Sequence, residues 1–311
     1  GYVTERLDKL GGPESYNHYA VGWAHAMNTP LQWTKQVASH WGGTRNGTIV
    51  HWPKGIQAKG EQRTQFAHVI DVAPTILEAA GIPEPLSVDG IQQDPIDGVS
   101  MLHTFNDPAA PEHHETQYFE VMGNRAIYHK GWTAVTKHYT PWINTPRVPL
   151  DEDVWELYDT NNDWSQSKDL SKEMPDKLRE LQRLFIIEAT RNKVLPLDDR
   201  LFEKMNPDTA GRPVLIKGKT QVLAGGMGHL GENCMLSIKN KSHTVTAEIV
   251  VPEGGAEGVI IAQGADIGGW ALYALNGKLK YCYNWGGFKH FMVEGATTMS
   301  PGEHPVRLEC A

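Results

Sequence analysis

The stretch N-T-P-L-Q-W-T-K-Q-V-A-S-H-W-G-G-T-R-N-G-T-I-V-H-W-P, residues 28–53, organises the rest of the chain. One lysine, Lys35, precedes a glycine pair, Gly42 and Gly43, and residues 48–52 form an apolar run that predicts a buried strand. Loops at the ends of such strands in open α/β sheets collect anion and substrate contacts. The stretch therefore predicts a cation delivered to a binding cleft, with a solvated surface lysine beside a turn as the alternative.

Three further segments follow this stretch in a fixed order. They read D-V-A-P-T-I-L-E-A-A-G-I (residues 71–82), D-G-V-S (residues 97–100) and W-E-L-Y-D-T-N-N-D (residues 155–163). Together with G-G-T-R-N-G and W-P-K-G in the opening stretch, they resemble the sulfatases, members of the alkaline-phosphatase-like superfamily. The resemblance is to the C-terminal part of large bacterial arylsulfatases.

The resemblance implies a sulfuric ester hydrolase acting on a small-molecule sulfate ester, with Lys35 contacting the sulfate oxygens. Candidates for the substrate cleft are His18, His25, His40 and Arg45. In an acidic chain such a site must be locally cationic, because the formal net charge is −8 and repels a sulfate ester at long range.

The catalytic motif of the family has no counterpart here. Similar sulfatases carry a C/S-x-P/A-x-R segment, whose Cys or Ser becomes formylglycine, and a bound calcium ion. Neither that segment nor the family's metal-binding aspartates has a match in this chain, so no metal ligand is predicted in it. Ca²⁺ and formylglycine are both expected upstream of Gly1, in a missing N-terminal part of the same protein. The chain alone is expected to be inactive.

Two other functions stay open at this stage. One is a non-catalytic module that binds carbohydrate or protein, and the other is a phosphatase or phosphonate hydrolase of the same superfamily. The negative charge argues against a nucleic-acid partner. No apolar run approaches the roughly 18 residues of a membrane span. The three widely spaced cysteines indicate neither a zinc site nor a disulfide framework. The compartment, bacterial cytoplasm or periplasm, is left open.

The predicted fold class is α/β, a partial sulfatase-like core with a small antiparallel sheet, followed by an all-β sandwich. Residues 1–150 are assigned to the C-terminal portion of the α/β core. Residues 151–212 are assigned to the last strand and helix of the small subdomain with a linker, and residues 213–311 to a truncated β-sandwich.

The α/β part is predicted in more detail from patterns and caps. A buried strand at 67–70 leads into a helix with Asp71 as N-cap and Gly81 at its end. Alternating residues at 118–135 and 155–158 predict an antiparallel meander, and apolar residues at mixed spacings of 3 and 4 predict a helix at 175–190. The run Glu-His-His-Glu at 112–115 is interpreted as a solvated loop rather than a metal site, because adjacent histidines lack the i, i+4 geometry.

The last hundred residues show short β-rich runs with turn signals between them, which is typical of an antiparallel sandwich. Asn276 and Gly277 predict a type I′ hairpin turn. Five aromatic residues are candidates for a sugar-stacking face, with a core role as the alternative: Trp270, Tyr273, Tyr281, Tyr283 and Trp285. The predicted strands are 214–216, 234–238, 244–251, 258–263, 270–275, 279–284, 289–293 and 306–310.

Overall fold

The computed structural model describes residues 4–12, 19–143, 146–205, 207–211 and 213–311. The chain divides into two compact units, Gly1–Met205 and Asn206–Ala311. In the described part of the chain, no helix is long and apolar enough to cross a membrane. The predicted class, an α/β region followed by an all-β region, is confirmed.

The first unit contains four α-helices and six strands among its described residues. The helices are α1 (Val21–Asn28), α2 (Trp41–Thr44), α3 (Val72–Ala80) and α4 (Pro175–Arg191). The strands are β1 (Ser87–Val88), β2 (Ile91–Gln92), β3 (Thr116–Val121), β4 (Asn124–His129), β5 (Trp132–Thr136) and β6 (Glu156–Asp159). Short 3₁₀ turns lie at Thr4–Lys9, Val69–Asp71, Leu102–Thr104, Leu150–Glu152 and Phe202–Met205.

Strands β3 to β6 pair in chain order, which confirms the predicted antiparallel meander. Helix α4 packs on this sheet because its apolar residues fall on one face, with Leu181 and Phe185 at 0% and 1% exposure against Ile127 and Leu157 at 0%. Burial of such side chains contributes roughly 1.5–3 kcal/mol each. Residues 151–205 therefore belong to the first unit, Gly1–Met205.

Helix α3 is confirmed, but the capping at its beginning differs from the prediction. Asp71 occupies the predicted N-cap position, but its side chain makes no cap hydrogen bond to α3. Its carboxylate instead accepts from the His68 backbone N–H, as the N3 residue of a capping box on the preceding 3₁₀ turn. Gly81 ends the helix with φ +68°, a left-handed conformation that glycine adopts without a Cβ penalty. In helix α3 Thr75 is the buried residue, whereas the apolar Ile76 is 61% exposed.

Two predicted strands of the α/β part are wrong. Residues 48–52 are irregular and Ile49 is 97% exposed, whereas residues 67–70 lead into the 3₁₀ turn Val69–Asp71. An extended run becomes a strand only where a neighbour accepts and donates its backbone hydrogen bonds. In the described residues, neither run has such a neighbour.

Among its described residues, the second unit contains helix α5 (Pro207–Ala210), a 3₁₀ turn at Glu232–Cys234 and six strands. These are β7 (His243–Val251), β8 (Gly258–Ala265), β9 (Gly268–Leu275), β10 (Lys278–Trp285), β11 (Lys289–Thr298) and β12 (Gly302–Cys310). Strands β8 to β11 form one antiparallel sheet and β7 pairs with β12 in another. Asn276 and Gly277 both have positive φ, as a type I′ turn requires. The predicted strands at 214–216 and 234–238 are wrong: they are irregular apart from the 3₁₀ turn.

The five aromatic residues of the second unit do not share one face. Trp270 lies opposite Tyr283 and Leu272 lies opposite Tyr281, so these residues are on one side of the sheet. That side includes Leu272, which is 1% exposed. Tyr273 occupies the alternate position and faces the other side. The core interpretation therefore fits Trp270 and Tyr281 better than a sugar-stacking surface does.

Candidate functional site

Lys35 is exposed on the loop between α1 and α2, although most of its neighbours are buried. Thr34 is 6% exposed and Val37 is 0% exposed. Trp33 and Gln36 have φ of +67° and +78°, which is uncommon for residues with a Cβ. Such conformations cost about 1–3 kcal/mol each and persist only where the surroundings determine them. The loop is thus held in one form while its lysine points to solvent.

The glycine pair explains how the chain turns so tightly behind Lys35. A Cβ on Gly42 would lie 2.1 Å from the Gln32 carbonyl oxygen, and a Cβ on Gly43 would lie 2.1 Å from that of Val37. The Gly42 N–H donates to the Gln32 carbonyl at 2.9 Å. Helix α2 can therefore pack on the Lys35 loop only because these two residues are glycines.

Two asparagine side chains donate hydrogen bonds to the same loop, one from before it in the sequence and one from far after it. Asn28 Nδ2 donates to the carbonyls of Gly42 at 2.8 Å and Trp33 at 3.2 Å. Asn124, which is fully buried, donates from Nδ2 to the Gln36 carbonyl at 3.3 Å. The carbonyls on both sides of Lys35 are therefore anchored by amides.

His40 lies beneath the loop and is only 1% exposed. Its Nε2 lies 3.0 Å from Oε2 of Glu156 on β6, and its Nδ1 lies 2.9 Å from the Ser39 hydroxyl. Because a carboxylate only accepts, Nε2 carries a proton. The predicted direct contact of His40 with a substrate stays untested, and the geometry favours a supporting role.

Glu156 is the point where several of these bonds meet. Its Oε2 also accepts a hydrogen bond from the Tyr158 hydroxyl at 2.5 Å. The hydrogen bond from His40, opposed by burial, lowers the pKa of Glu156 below its ordinary value. Burial, with the Glu156 charge, raises the pKa of Tyr158. Gln32 Nε2 in turn donates to the Tyr158 hydroxyl at 3.4 Å.

A cavity of about 480 Å³ opens beside Trp33. Its lining consists of Val21, Gly22, His25, Ala26, Thr29, Trp33, Trp142 and Ile143. The rings of His25 and Trp33 are nearly parallel, at 11°, with centroids 6.4 Å apart. The Lys137 ammonium lies 4.9 Å from the Trp33 ring, which adds positive charge to this side of the loop.

Arg45, a further predicted cleft residue, contacts two tryptophans rather than Lys35. The Arg45 guanidinium lies over Trp41 at 4.4 Å and over Trp164 at 5.6 Å, and donates to the Trp164 carbonyl at 3.2 Å. Burial lowers the pKa of Arg45, which nonetheless stays charged at neutral pH. His18 lies outside the described residues. Its assignment stays a prediction.

A second buried polar cluster corrects the interpretation of residues 112–115 as a solvated loop. His114 is 8% exposed and pairs with the Asp71 carboxylate at 2.8 Å. Glu112 accepts a hydrogen bond from the Tyr128 hydroxyl at 2.6 Å. Only His113 and Glu115 are exposed. The loop therefore docks helix α3 to the sheet through alternate polar residues.

The described residues do not supply the calcium site that the resemblance implies. No group of three or more His, Cys, Asp or Glu side chains among them is placed to hold a metal ion. The free cysteines Cys234, Cys282 and Cys310 are all half-buried in the second unit, and none lies in a formylglycine motif. No chemical step of this chain can therefore be assigned to either group.

Sequence reasoning missed the residues that hold the Lys35 loop. Glu156 belongs to W-E-L-Y-D, where it is an acidic residue at the start of a predicted strand. Asn124 is a polar residue at the head of an apolar strand and resembles a turn residue. Asn28 and Gln32 carry no distinguishing signal, because their partners are backbone groups and distant side chains.

Comparison with known proteins finds relatives for part of the chain. Residues 39–186 match the family model described as N-sulphoglucosamine sulphohydrolase, C-terminal. An uncharacterized sulfatase of Schizosaccharomyces pombe is 29% identical over 208 residues, which cover 66% of this chain. The chain spans 35% of the length of that relative.

Similar solved structures also match over part of their length. Ps i-CgsB in complex with k-i-k-neocarrahexaose is 23% identical with a TM-score of 0.41, covering 60% of this chain and 37% of that one. BT4656 in complex with its substrate D-glucosamine-2-N,6-O-disulfate is 22% identical with a TM-score of 0.36, covering 49% of this chain and 30% of that one.

Proposed function

We propose that the protein containing this chain hydrolyses sulfuric esters and that Lys35 contacts the sulfate group, because residues 39–186 match the family model described as N-sulphoglucosamine sulphohydrolase, C-terminal. The observation that carries the proposal is the Lys35 loop. Thr34 and residues 37–40 are buried, the glycines are in contact with backbone oxygens, and Lys35 is exposed to solvent beside Gln36. A lysine that only faces solvent does not require a loop fixed by such close backbone contacts.

The chemistry of the ester explains why a lysine suits this position. A sulfate ester carries one negative charge, and further charge develops on the leaving oxygen as the S–O bond breaks. The ammonium of Lys35 is a compact charge with three donors, able to contact the sulfate and the leaving oxygen together. Such contacts in a water-excluded site contribute about 3–4 kcal/mol to transition-state stabilisation.

The nucleophile and the calcium ligands form a separate part of the proposal. This chain spans 35% of its sulfatase relative, and we assign both groups to sequence beyond the 311 residues. When bound, they would supply the attacking hydroxyl and stabilise charge on the sulfate. The residues of this chain bind and orient the ester.

The cavity beside Trp33 favours an aryl ester. Most of its lining residues are aliphatic or aromatic, and its polar side-chain groups are those of His25 and Thr29 and the indole N–H donors of Trp33 and Trp142. The Thr29 hydroxyl already donates to the His25 carbonyl at 3.3 Å. The several hydroxyls of a sugar would lose water there without enough partners, which costs free energy. A planar ring instead stacks on Trp33 or Trp142.

The test is steady-state kinetics of the full-length protein on 4-nitrophenyl sulfate. Lys35→Ala is expected to lower kcat/KM about 100–1000-fold without changing the melting temperature. Lys59→Ala, at another exposed lysine, serves as the matched control. Unchanged kcat/KM in Lys35→Ala, or preferential hydrolysis of 4-nitrophenyl phosphate by the wild type, would reject the proposal.

A further inference from the structure

One strand, β6, holds both ends of the segment that presents Lys35. Glu156 and Tyr158 are two residues apart on β6 and therefore project to the same side of the sheet. Glu156 Oε2 is 3.0 Å from Nε2 of His40, five residues after Lys35. Tyr158 accepts from Gln32 Nε2, three residues before Lys35, at 3.4 Å, and the same nitrogen also donates to the Gln166 carbonyl.

The two contacts are joined through a single atom. The Tyr158 hydroxyl donates to the same Glu156 oxygen, Oε2, at 2.5 Å. The carboxylate thus accepts two hydrogen bonds on one oxygen, and charged acceptors make stronger hydrogen bonds than neutral ones. The side chain of Glu156 is one-third exposed, whereas His40 beneath it is 1% exposed.

We propose that Glu156 is a positioning residue: its carboxylate sets the placement of Lys35 by binding His40 and, through Tyr158, Gln32. It does not contact the substrate in this role. The catalytic consequence rests on the proposed function, because Lys35 has to reach the sulfate for its position to matter. We call the contacts of Glu156 with His40, and of Tyr158 with Gln32, the clamp. The clamp is a property of the described residues and is tested separately from activity.

The shared oxygen gives a sharp pair of variants. Glu156→Leu keeps the size of the side chain and removes every acceptor. Glu156→Gln keeps one carbonyl oxygen, which is able to accept both bonds, and replaces the other oxygen of the charged carboxylate by an amide NH₂. Glu180→Leu, at an exposed glutamate of α4 that pairs with Lys177, is the control for a Glu→Leu change elsewhere in the unit.

The first experiment is amide hydrogen exchange on the 311-residue chain. In Glu156→Leu, exchange across residues 33–42 is expected to accelerate about tenfold or more while α4 stays as slow as in the wild type. Glu156→Gln is expected to stay within about threefold of the wild type, and Glu180→Leu to leave the loop unchanged. An unchanged loop in Glu156→Leu, or equal acceleration throughout the unit, would overturn the proposal.

The second experiment is a double-mutant cycle in the full-length protein. Glu156→Leu is expected to lower kcat about tenfold or more with KM within about threefold, and to have no further effect in a Lys35→Ala background. A full effect in that background would show that Glu156 does not act through Lys35. If the wild type turns over no sulfate ester, the proposed function fails while the exchange data still decide the clamp.

Discussion

Both carboxylate oxygens of Asp71 lie 2.8 Å from Nδ1 of His114, and both side chains are buried. The other ring nitrogen, Nε2, lies 3.1 Å from Oε1 of Gln117. The Gln117 amide is oriented by its Nε2, which donates to the Tyr118 carbonyl at 2.6 Å. Because both ring nitrogens face acceptors, the contacts favour the protonated imidazole.

This pair predicts how stability depends on pH. Burial alone lowers the pKa of His114, but the hydrogen bond and charge of Asp71 outweigh it and raise that pKa. A raised pKa stabilises the fold below the unfolded value, about 6.5, and the contribution is lost as pH rises through the folded value. We therefore expect the melting temperature of the first unit to fall as the pH rises above about 6.5.

The dependence of stability on pH at acid pH follows from Asp71 and His68, which lie next to His114. Burial raises the pKa of Asp71, but hydrogen bonds from His114, His68 and Val99 outweigh it and lower that pKa, so its contribution is lost only as pH falls through the lowered value. Burial and the charge of His114 lower the pKa of His68, so His68 destabilises the fold only below about pH 6.5. Above that pH, His114 is the group of these three that titrates.

His114→Leu provides the matching measurement. It is expected to cost about 3–5 kcal/mol at pH 6, because Asp71 stays buried without its cation, and to flatten the alkaline slope. Thermal melts of both proteins from pH 6 to 9 check this. An equal slope in the variant would assign the pH dependence to another group.

Gly42→Ala tests the close approach behind Lys35. The added Cβ meets the carbonyl oxygens of Gln32 at 2.1 Å and Trp33 at 2.2 Å, so the loop must shift, at a cost of about 1–3 kcal/mol. Gly47→Ala is the control, because nothing lies within 4 Å of its Cβ position. Chemical denaturation of the two variants is the measurement, and equal midpoints would contradict the geometry.

Trp142→Ala tests the aryl assignment of the cavity. Affinity of the 311-residue chain for phenyl sulfate, measured by calorimetry, is expected to fall about tenfold, the loss of one aromatic stacking contact. Trp23→Ala, on α1 and 69% exposed, lies outside the cavity lining and is expected to bind as the wild type does. Tighter binding of glucose 6-sulfate than of phenyl sulfate would instead assign the cavity to sugars.

The isolated 311-residue chain is expected to hydrolyse no 4-nitrophenyl sulfate. The reason is chemical: no C/S-x-P/A-x-R segment occurs in the sequence, so no residue is available to become formylglycine. The measurement is absorbance at high protein concentration with a mass-verified sample. Turnover above the blank that co-elutes with the chain would show that another group supplies the nucleophile.

The elements predicted from the sequence were those whose signals are local. Helix α4 begins at Pro175 and ends one residue beyond the prediction, because its proline start and apolar spacing are local features. The meander was predictable for the same reason, since alternation and short turns define it. The strands at 48–52 and 67–70 failed because pairing depends on a neighbour that no local pattern reveals.

The candidate site shows the same difference between local signals and contacts between distant residues. The tight turn at the glycine pair was predictable because consecutive glycines are visible in the sequence, and the role of Lys35 beside it stays a prediction. The supports were not: Asn124 lies 88 residues from Gln36, and Glu156 lies 116 residues from His40. His114 was misjudged because its neighbours in sequence are exposed while its partner, Asp71, lies 43 residues away.

The clamp on β6 also determines at which stage of folding the Lys35 loop can form. Gln32 is separated from Tyr158 by 126 residues, so closing this contact carries a large entropic cost until the intervening chain has folded. The meander closes through contacts between consecutive strands and has no such delay. Lys35 should therefore reach its working position among the last events of folding, and newly made protein should bury its core before it is competent to bind an anion.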